Sequence, residues 1–192
     1  MPSPLDHTPL DDSLVVIRTP RLLFRRLRDE DREPFAAINA SPRVMQYFPK
    51  TFTRDESDAA VDRITAHLEK HPYGLWAVEI PGVAPFIGFV GLTTPRFEAS
   101  FTPCVEIGWR IAEAFWNRGY ATEGARAALE YGFQQAGLQE ILSFAVPHNI
   151  PSRRVMEKIG MHHNPADDFD HPLIAAGHSL RRHVLYRIMR TT

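Results

Sequence analysis

Val105-Glu106-Ile107-Gly108-Trp109-Arg110-Ile111, followed by Trp116-Asn117-Arg118-Gly119-Tyr120-Ala121-Thr122-Glu123, is the stretch that decides how this chain reads. Its first half is rich in β-branched and aromatic residues, as a strand is. Its second half passes through a Gly-containing turn into a helix from Gly119 to Gln135. Ala121, Ala125, Ala128, Leu129 and Gly132 share one face of that helix, and Gly137 is placed to end it. The first turn of a helix presents free backbone N–H groups, and the helix dipole adds partial positive charge. That combination suits a pyrophosphate. Gly119 allows close backbone approach, Ala121 keeps the next position small, Thr122 offers a hydroxyl, and Arg118 adds charge at the rim. The alternative for a glycine at a helix start is plain turn chemistry. The Lys-Ser/Thr ending of a triphosphate loop and the three glycines of a dinucleotide fingerprint are both missing, which disfavours those two readings.

Working outward, the upstream half is mostly strand. Leu14 to Ile17 and Leu22 to Leu27, separated by Pro20, read as a bent strand or two short ones. Asp29 is a good cap for a short helix carrying Phe35 and Ile38, which must stop before Pro42. Thr53 and Glu56 have capping-box spacing, so Asp55 to His71 is predicted as an amphipathic helix. Leu75 to Ile80, Phe86 to Thr93 and Cys104 to Ile111 are predicted strands of an antiparallel meander, with a loop from Arg96 to Pro103. Downstream, Glu140 to Val146 is a strand. Pro151 and Ser152 start a helix that ends at Gly160. A loop full of Asp, Pro and His follows, then a strand from Arg182 to Met189 whose alternation predicts one buried face. The fold class is therefore α/β (α+β), a mixed sheet covered by helices.

Composition bounds the rest. The 192 residues fit one domain, with 1–12 as a short flexible arm and 13–192 as the folded unit. The 22 Lys and Arg nearly cancel the 23 Asp and Glu, so no whole-molecule field argues for nucleic acid or a membrane surface. The N-terminus does not read as a signal peptide, and no stretch is long and apolar enough to span a bilayer. Cys104 is the single cysteine, which suits a cytoplasmic location and reads as packing rather than as a nucleophile. His162, His163, His171, His178 and His183 match no standard zinc spacing, so no metal is expected.

Trp109 to Ile111, Asn117 to Glu123, and the run Asn149-Ile150-Pro151-Ser152-Arg153-Arg154-Val155-Met156-Glu157-Lys158-Ile159-Gly160-Met161 resemble the GCN5-related N-acetyltransferases, in particular the RimJ/RimL-like branch. The resemblance runs from about Ile17 to Arg190. Trp116 stands where the general family loop has Gln or Arg. The family fold it implies is a mixed, mostly antiparallel sheet, splayed between two central strands and flanked by about four helices. A bulge in Val105 to Ile111 would open the sheet toward Glu140 to Val146. Acetyl-coenzyme A would lie in the gap, its pantetheine arm against the backbone of Trp109, Arg110 and Ile111. The diphosphate would sit on Trp116, Asn117, Arg118, Gly119, Tyr120, Ala121 and Thr122. Asn149 and Ser152 would form the other wall.

Acetyl transfer to an amine needs a neutral nucleophile, a polarised carbonyl and a proton for the departing thiolate. An α-amine, with pKa about 8, is neutral in roughly a tenth of molecules at pH 7, whereas a Lys side chain is almost wholly charged. Glu106, an acid among apolar strand residues, is the candidate base, directly or through water; its alternative is an ion pair across the sheet. Ser152 is the candidate proton donor, because the Tyr that many family members use is replaced by Met156; its alternative is a helix cap. Phe48, Trp76, His171 and His183 are candidates for the acceptor wall, and Arg153 and Arg154 for contacts to coenzyme phosphates. The expected activity is N-acetylation of a primary amine, best the N-terminal α-amine of a protein or peptide. A small amine acceptor and a non-catalytic acyl-CoA-binding protein are the alternatives, and the chain is a monomer or a homodimer.

Overall fold

The structure is a computed structural model and describes residues 15–191, so the arm at 1–12 and the first residue of the expected opening strand lie outside the described residues. Pro20 does divide the opening segment. β1 (Val15–Arg18) and β2 (Leu23–Arg25) pair antiparallel as two short strands. β3 (Leu75–Ile80), β4 (Ala84–Thr93) and β5 (Glu106–Ile111) continue the antiparallel order. β6 (Glu140–Ala145) then pairs parallel to β5, and β9 (Arg182–Met189) pairs antiparallel to β6.

Helices cover both faces. α1 (Arg32–Ala40) and α2 (Arg54–Lys70) bury Phe35, Ile38 and Val61 against Ala77, Phe86 and Phe89. α3 (Tyr120–Gln134) and α4 (Ile150–Lys158) bury Ala125, Ala128, Leu129 and Met156 on the opposite face, against Val78, Val90, Ile107 and Ile141. The capping box of α2 is present: Thr53 Oγ1 accepts the Glu56 N–H at 3.2 Å, and Glu56 accepts the Thr53 N–H at 2.9 Å. Beneath α1, the buried Arg25 guanidinium donates to Asp31 at 2.6 and 2.9 Å and to Glu79 at 3.2 Å.

Two expectations about the tail change. The loop before β9 contains two short strands, β7 (His162–His163) and β8 (Phe169–Asp170), both paired with β9. In the first half of β9, residues on both faces are buried: His183 and Leu185 on one, Val184 and Tyr186 on the other. The alternation in sequence therefore reflects pleating, with packing on each side.

The sheet opens at its centre. β5 and β6 share one ladder position, Glu106 with Leu142. The Leu142 N–H donates to Val105 O at 2.9 Å, and the Ser143 hydroxyl donates to Ile107 O at 3.0 Å. β6 continues to pair with β9, while β5 stays with β4 through six register pairs without a shift. The bulge expected in β5 is thus absent. The gap arises because β6 leaves β5 after one position, which strands the edge of β5 from Gly108 onward.

Candidate active site

A cleft of about 470 Å³ fills the fork between the diverging strands. One wall is Trp109, Arg110 and Ile111 of β5, and the other is Asn149, Pro151, Ser152, Arg154, Val155 and Lys158 at α4. Its floor runs onto Trp116, Asn117, Gly119, Tyr120, Ala121 and Thr122. Its mouth carries Val44, Gln46, Tyr47 and Phe48 from the loop after α1.

The floor has the geometry of an anion cradle. Gly119 is left-handed at φ 81° and Asn117 at φ 60°, so the backbone folds back on itself just before α3. Gly119 at the N-cap has no side chain to cap α3, and no side chain among the described residues accepts from its first-turn N–H groups. Arg21 braces this turn from outside, donating to Arg118 O at 2.9 Å and binding Glu123. Arg118 is held there by its carbonyl, with an exposed side chain outside the cleft lining. The Trp116 indole N–H donates to Ile111 O at 2.7 Å. Trp116 therefore fixes the loop to the strand, and the Ile111 carbonyl, expected to face a ligand, is already occupied. Arg154 and Lys158 supply positive charge to the cleft. Arg153 does not, since it donates to Pro147 O at 2.9 Å and to Tyr186 Oη at 3.3 Å.

At α4 the capping role falls on Asn149, whose Oδ1 accepts the Ser152 N–H at 3.2 Å. The Ser152 hydroxyl is thereby left without a hydrogen bond among the described residues and faces the cleft. Met156 is buried in the core.

Glu106, Gly108 and Arg110 project from one face of β5, the face that carries α1 and α2. Glu106 is half-buried, and loss of hydration pushes its carboxyl up to about 8. It makes no hydrogen bond or ion pair among the described residues, so the expected alternative of a cross-sheet ion pair is not found. Over Gly108 the space is open: a Cβ built there meets nothing within 4 Å. Arg110 closes the far side. Its guanidinium lies 4.3 Å from the Phe48 ring, 5.7 Å from Phe52 and 5.4 Å from Phe89, and it donates to Asn39 Oδ1.

On the other flank of Glu106, Phe144 packs with Phe97, Phe101, Phe169, His171 and His183. Burial lowers the pKa of both histidines, with the His183 charge adding to the effect on His171, so both tend to be neutral. The structure thus brings Phe48, His171 and His183 to the Glu106 face. Trp76 is misplaced by the sequence reading: it is 1% exposed on the opposite face, packed edge-on against Phe24 and Tyr131, and walls no cleft. Cys104 is half-buried, its thiol pushed up to about 11 mainly by burial and next by the Glu106 charge, which suits packing better than nucleophilic attack. Sequence reasoning missed the Arg110 side chain and the gap over Gly108. Their signal was the period-two spacing with Glu106 along one strand.

Residues 21–162 match the model of the acetyltransferase (GNAT) domain. The chain belongs to the GNAT acetyltransferase family. It is an acetyl-transferring enzyme, and its sheet, forked between β5 and β6, is the GNAT fold. It is 36% identical over 148 residues to an uncharacterized N-acetyltransferase, YnaD, of Bacillus subtilis, covering 76% of this chain and 81% of that one. It is 31% identical over 162 residues to the FsC-acetyl coenzyme A-N(2)-transacetylase of Aspergillus fumigatus, covering 77% of this chain and 65% of that one. Among solved structures, a GNAT-family acetyltransferase from Bacillus anthracis superposes with a TM-score of 0.73 at 30% identity, covering 90% of this chain and 97% of that one. No helix among the described residues is long and apolar enough to cross a membrane.

Proposed function

We propose that this GNAT enzyme transfers the acetyl group of acetyl-coenzyme A to a primary α-amine, foremost the N-terminus of a protein or peptide, in the cytoplasm. The observation that carries the reading is the fork itself: a cleft between β5 and α4 that ends on the uncapped start of α3. With a diphosphate on the first-turn N–H groups and Arg154 and Lys158 nearby, the free edge of β5 would hold the rest of the donor. Asn149 and Ser152 hold the opposite side. The name of the Aspergillus relative supports acetyl-coenzyme A as donor.

When bound, the donor supplies an activated thioester carbonyl. Glu106 accepts the proton lost by the amine, directly or through one water, as the new C–N bond forms. Its raised pKa lies close to that of an α-amine, about 8, so the two groups exchange a proton at little cost, and the base form grows as pH rises toward that value. Backbone N–H groups of the β5 edge polarise the carbonyl oxygen. The Ser152 hydroxyl would give its proton to the sulfur as the C–S bond breaks, and the proton taken up by Glu106 would return through water to the serine oxygen, so that the thiol leaves protonated and both groups are restored.

A small amine is the second reading, favoured by the aromatic cluster around Phe144, whose rings pack on the face of the sheet that carries Glu106. Thiol release from acetyl-coenzyme A across a panel of free amines and N-terminal peptides tests both. Release with at least one class supports the activity. Tight coenzyme binding without release for any amine would instead point to a non-catalytic acyl-CoA-binding protein.

A further inference from the structure

Among the described residues, the charged side chains withdrawn from solvent beneath the helices are neutralised internally except on β5. Arg25 is enclosed by Asp31 and Glu79. Arg110, four positions along β5 from the candidate base, has no acid partner among the described residues. Its Nε is buried without any hydrogen-bond acceptor. Three phenylalanine rings surround the guanidinium, and one neutral amide oxygen, Asn39 Oδ1, accepts from it. Asn39 is itself oriented by donating to Ser57 Oγ at 2.8 Å. Ring contacts offset only part of the free energy of burying a cation, and one neutral acceptor satisfies only one of five N–H donors. The arrangement has the form of an anion receptor waiting for its counter-charge.

Its position says which anion. Arg110 lines the cleft, and Phe48, stacked on it, stands at the mouth. Between Arg110 and Glu106 lies the open space over Gly108. An acceptor whose amine approaches Glu106 across that gap brings its adjoining atoms toward the guanidinium. The diphosphate cradle belongs to the other end of the cleft and has its own cations in Arg154 and Lys158. We infer that Arg110 is a specificity-determining residue that binds a carboxylate on the acceptor, so that this enzyme prefers amines bearing a carboxylate close to the reacting nitrogen. The inference rests on the acetyltransferase reading for its acceptor, and on the geometry of β5 alone for its anion. Two sources carry this chemistry: the α-carboxylate of a free amino acid, and an acidic side chain at the first position of a peptide.

Matched pairs separate them. Wild-type enzyme is assayed with free amino acids against their α-carboxamides, and with Asp-led against Asn-led peptide amides. In parallel, the N-acetylated acid and its amide are titrated calorimetrically into coenzyme-bound wild type, Arg110→Lys and Arg110→Gln. The expected result is at least a tenfold preference for the acid within one pair, in both turnover and binding. That preference should be reduced in Arg110→Lys and abolished in Arg110→Gln, with coenzyme affinity unchanged. Preference in the first pair identifies an amino-acid acceptor, and preference in the second a peptide. Equal handling of acid and amide by wild type overturns the inference, whatever the turnover. Absence of turnover with selective, Arg110-dependent binding of the acid would leave the anion site standing and remove the catalytic reading instead.

Discussion

Asn149 Oδ1 accepts the Ser152 N–H at 3.2 Å, so the side chain that caps α4 is Asn149 and the Ser152 hydroxyl is released to the cleft. The two residues should therefore fail differently. Ser152→Ala should fold normally and bind coenzyme normally, with kcat lowered roughly 10- to 100-fold if the hydroxyl assists the leaving thiolate. Asn149→Ala should lose about 1 kcal/mol of stability with its cap. Chemical denaturation and steady-state kinetics on both variants check this. Normal kcat in Ser152→Ala would assign the proton to water.

Glu106 gives a pH signature. Its carboxyl is raised to about 8 by burial, so it is protonated at lower pH and works as a base only as pH rises through that value. The rate with an α-amine should climb over the same range. In Glu106→Gln it should fall by roughly 100-fold at pH 8 and lose the dependence that belongs to this group. Stability runs the other way. The folded form holds its proton more tightly than the unfolded form, whose carboxyl has the ordinary value of 4.5. The charged carboxylate therefore weakens the fold progressively between about 4.5 and about 8. The melting temperature of wild type should drop across that window more steeply than that of Glu106→Gln.

Gly108 offers a substitution that spares the fold and blocks the chemistry. A Cβ at this position meets nothing within 4 Å, so Gly108→Val should fold with little change in melting temperature. Its side chain would fill the space between Glu106 and Arg110. Acetylation of amines should fall at least tenfold while coenzyme still binds. Retained turnover would show that the acceptor approaches by another route.

The Arg25 network carries stability rather than chemistry. Arg25→Met strands the carboxylates of Asp31 and Glu79 beneath α1. Breaking a buried pair in this way costs about 3–5 kcal/mol. Urea denaturation should show a loss of that order.

How much of this was legible in the residues follows from the range of the interactions. β3 and β9 were predicted with the bounds they have, and the Thr53–Glu56 box appears as expected, because alternation and capping are local patterns. β7 and β8 are two residues each, too short to show a period, and exist only through pairing with β9. Trp76 was assigned to the wrong face because strand periodicity gives two sides without saying which one holds the site. The opening of the sheet was expected from the resemblance, but its cause was not. A bulge leaves a local irregularity, whereas β6 leaving β5 after one pair depends on its partnership with the distant β9. Arg110 escaped notice as a side chain because an arginine in a strand ordinarily reads as solvent-facing. Only the packing of Phe48, Phe52 and Phe89 around it reveals the contrary.

The central claim concerns where the donor lies, and hydrogen exchange with and without acetyl-coenzyme A tests it most directly. A broader groove of about 920 Å³ runs along β1 and the outer side of α3, lined by Arg18, Arg126 and Glu130, and is the rival location. The expected result is protection of backbone amides at Trp109 to Ile111 and Asn117 to Thr122, with β1 unaffected. Protection along β1 and the outer side of α3, or none anywhere at saturating coenzyme, would contradict it.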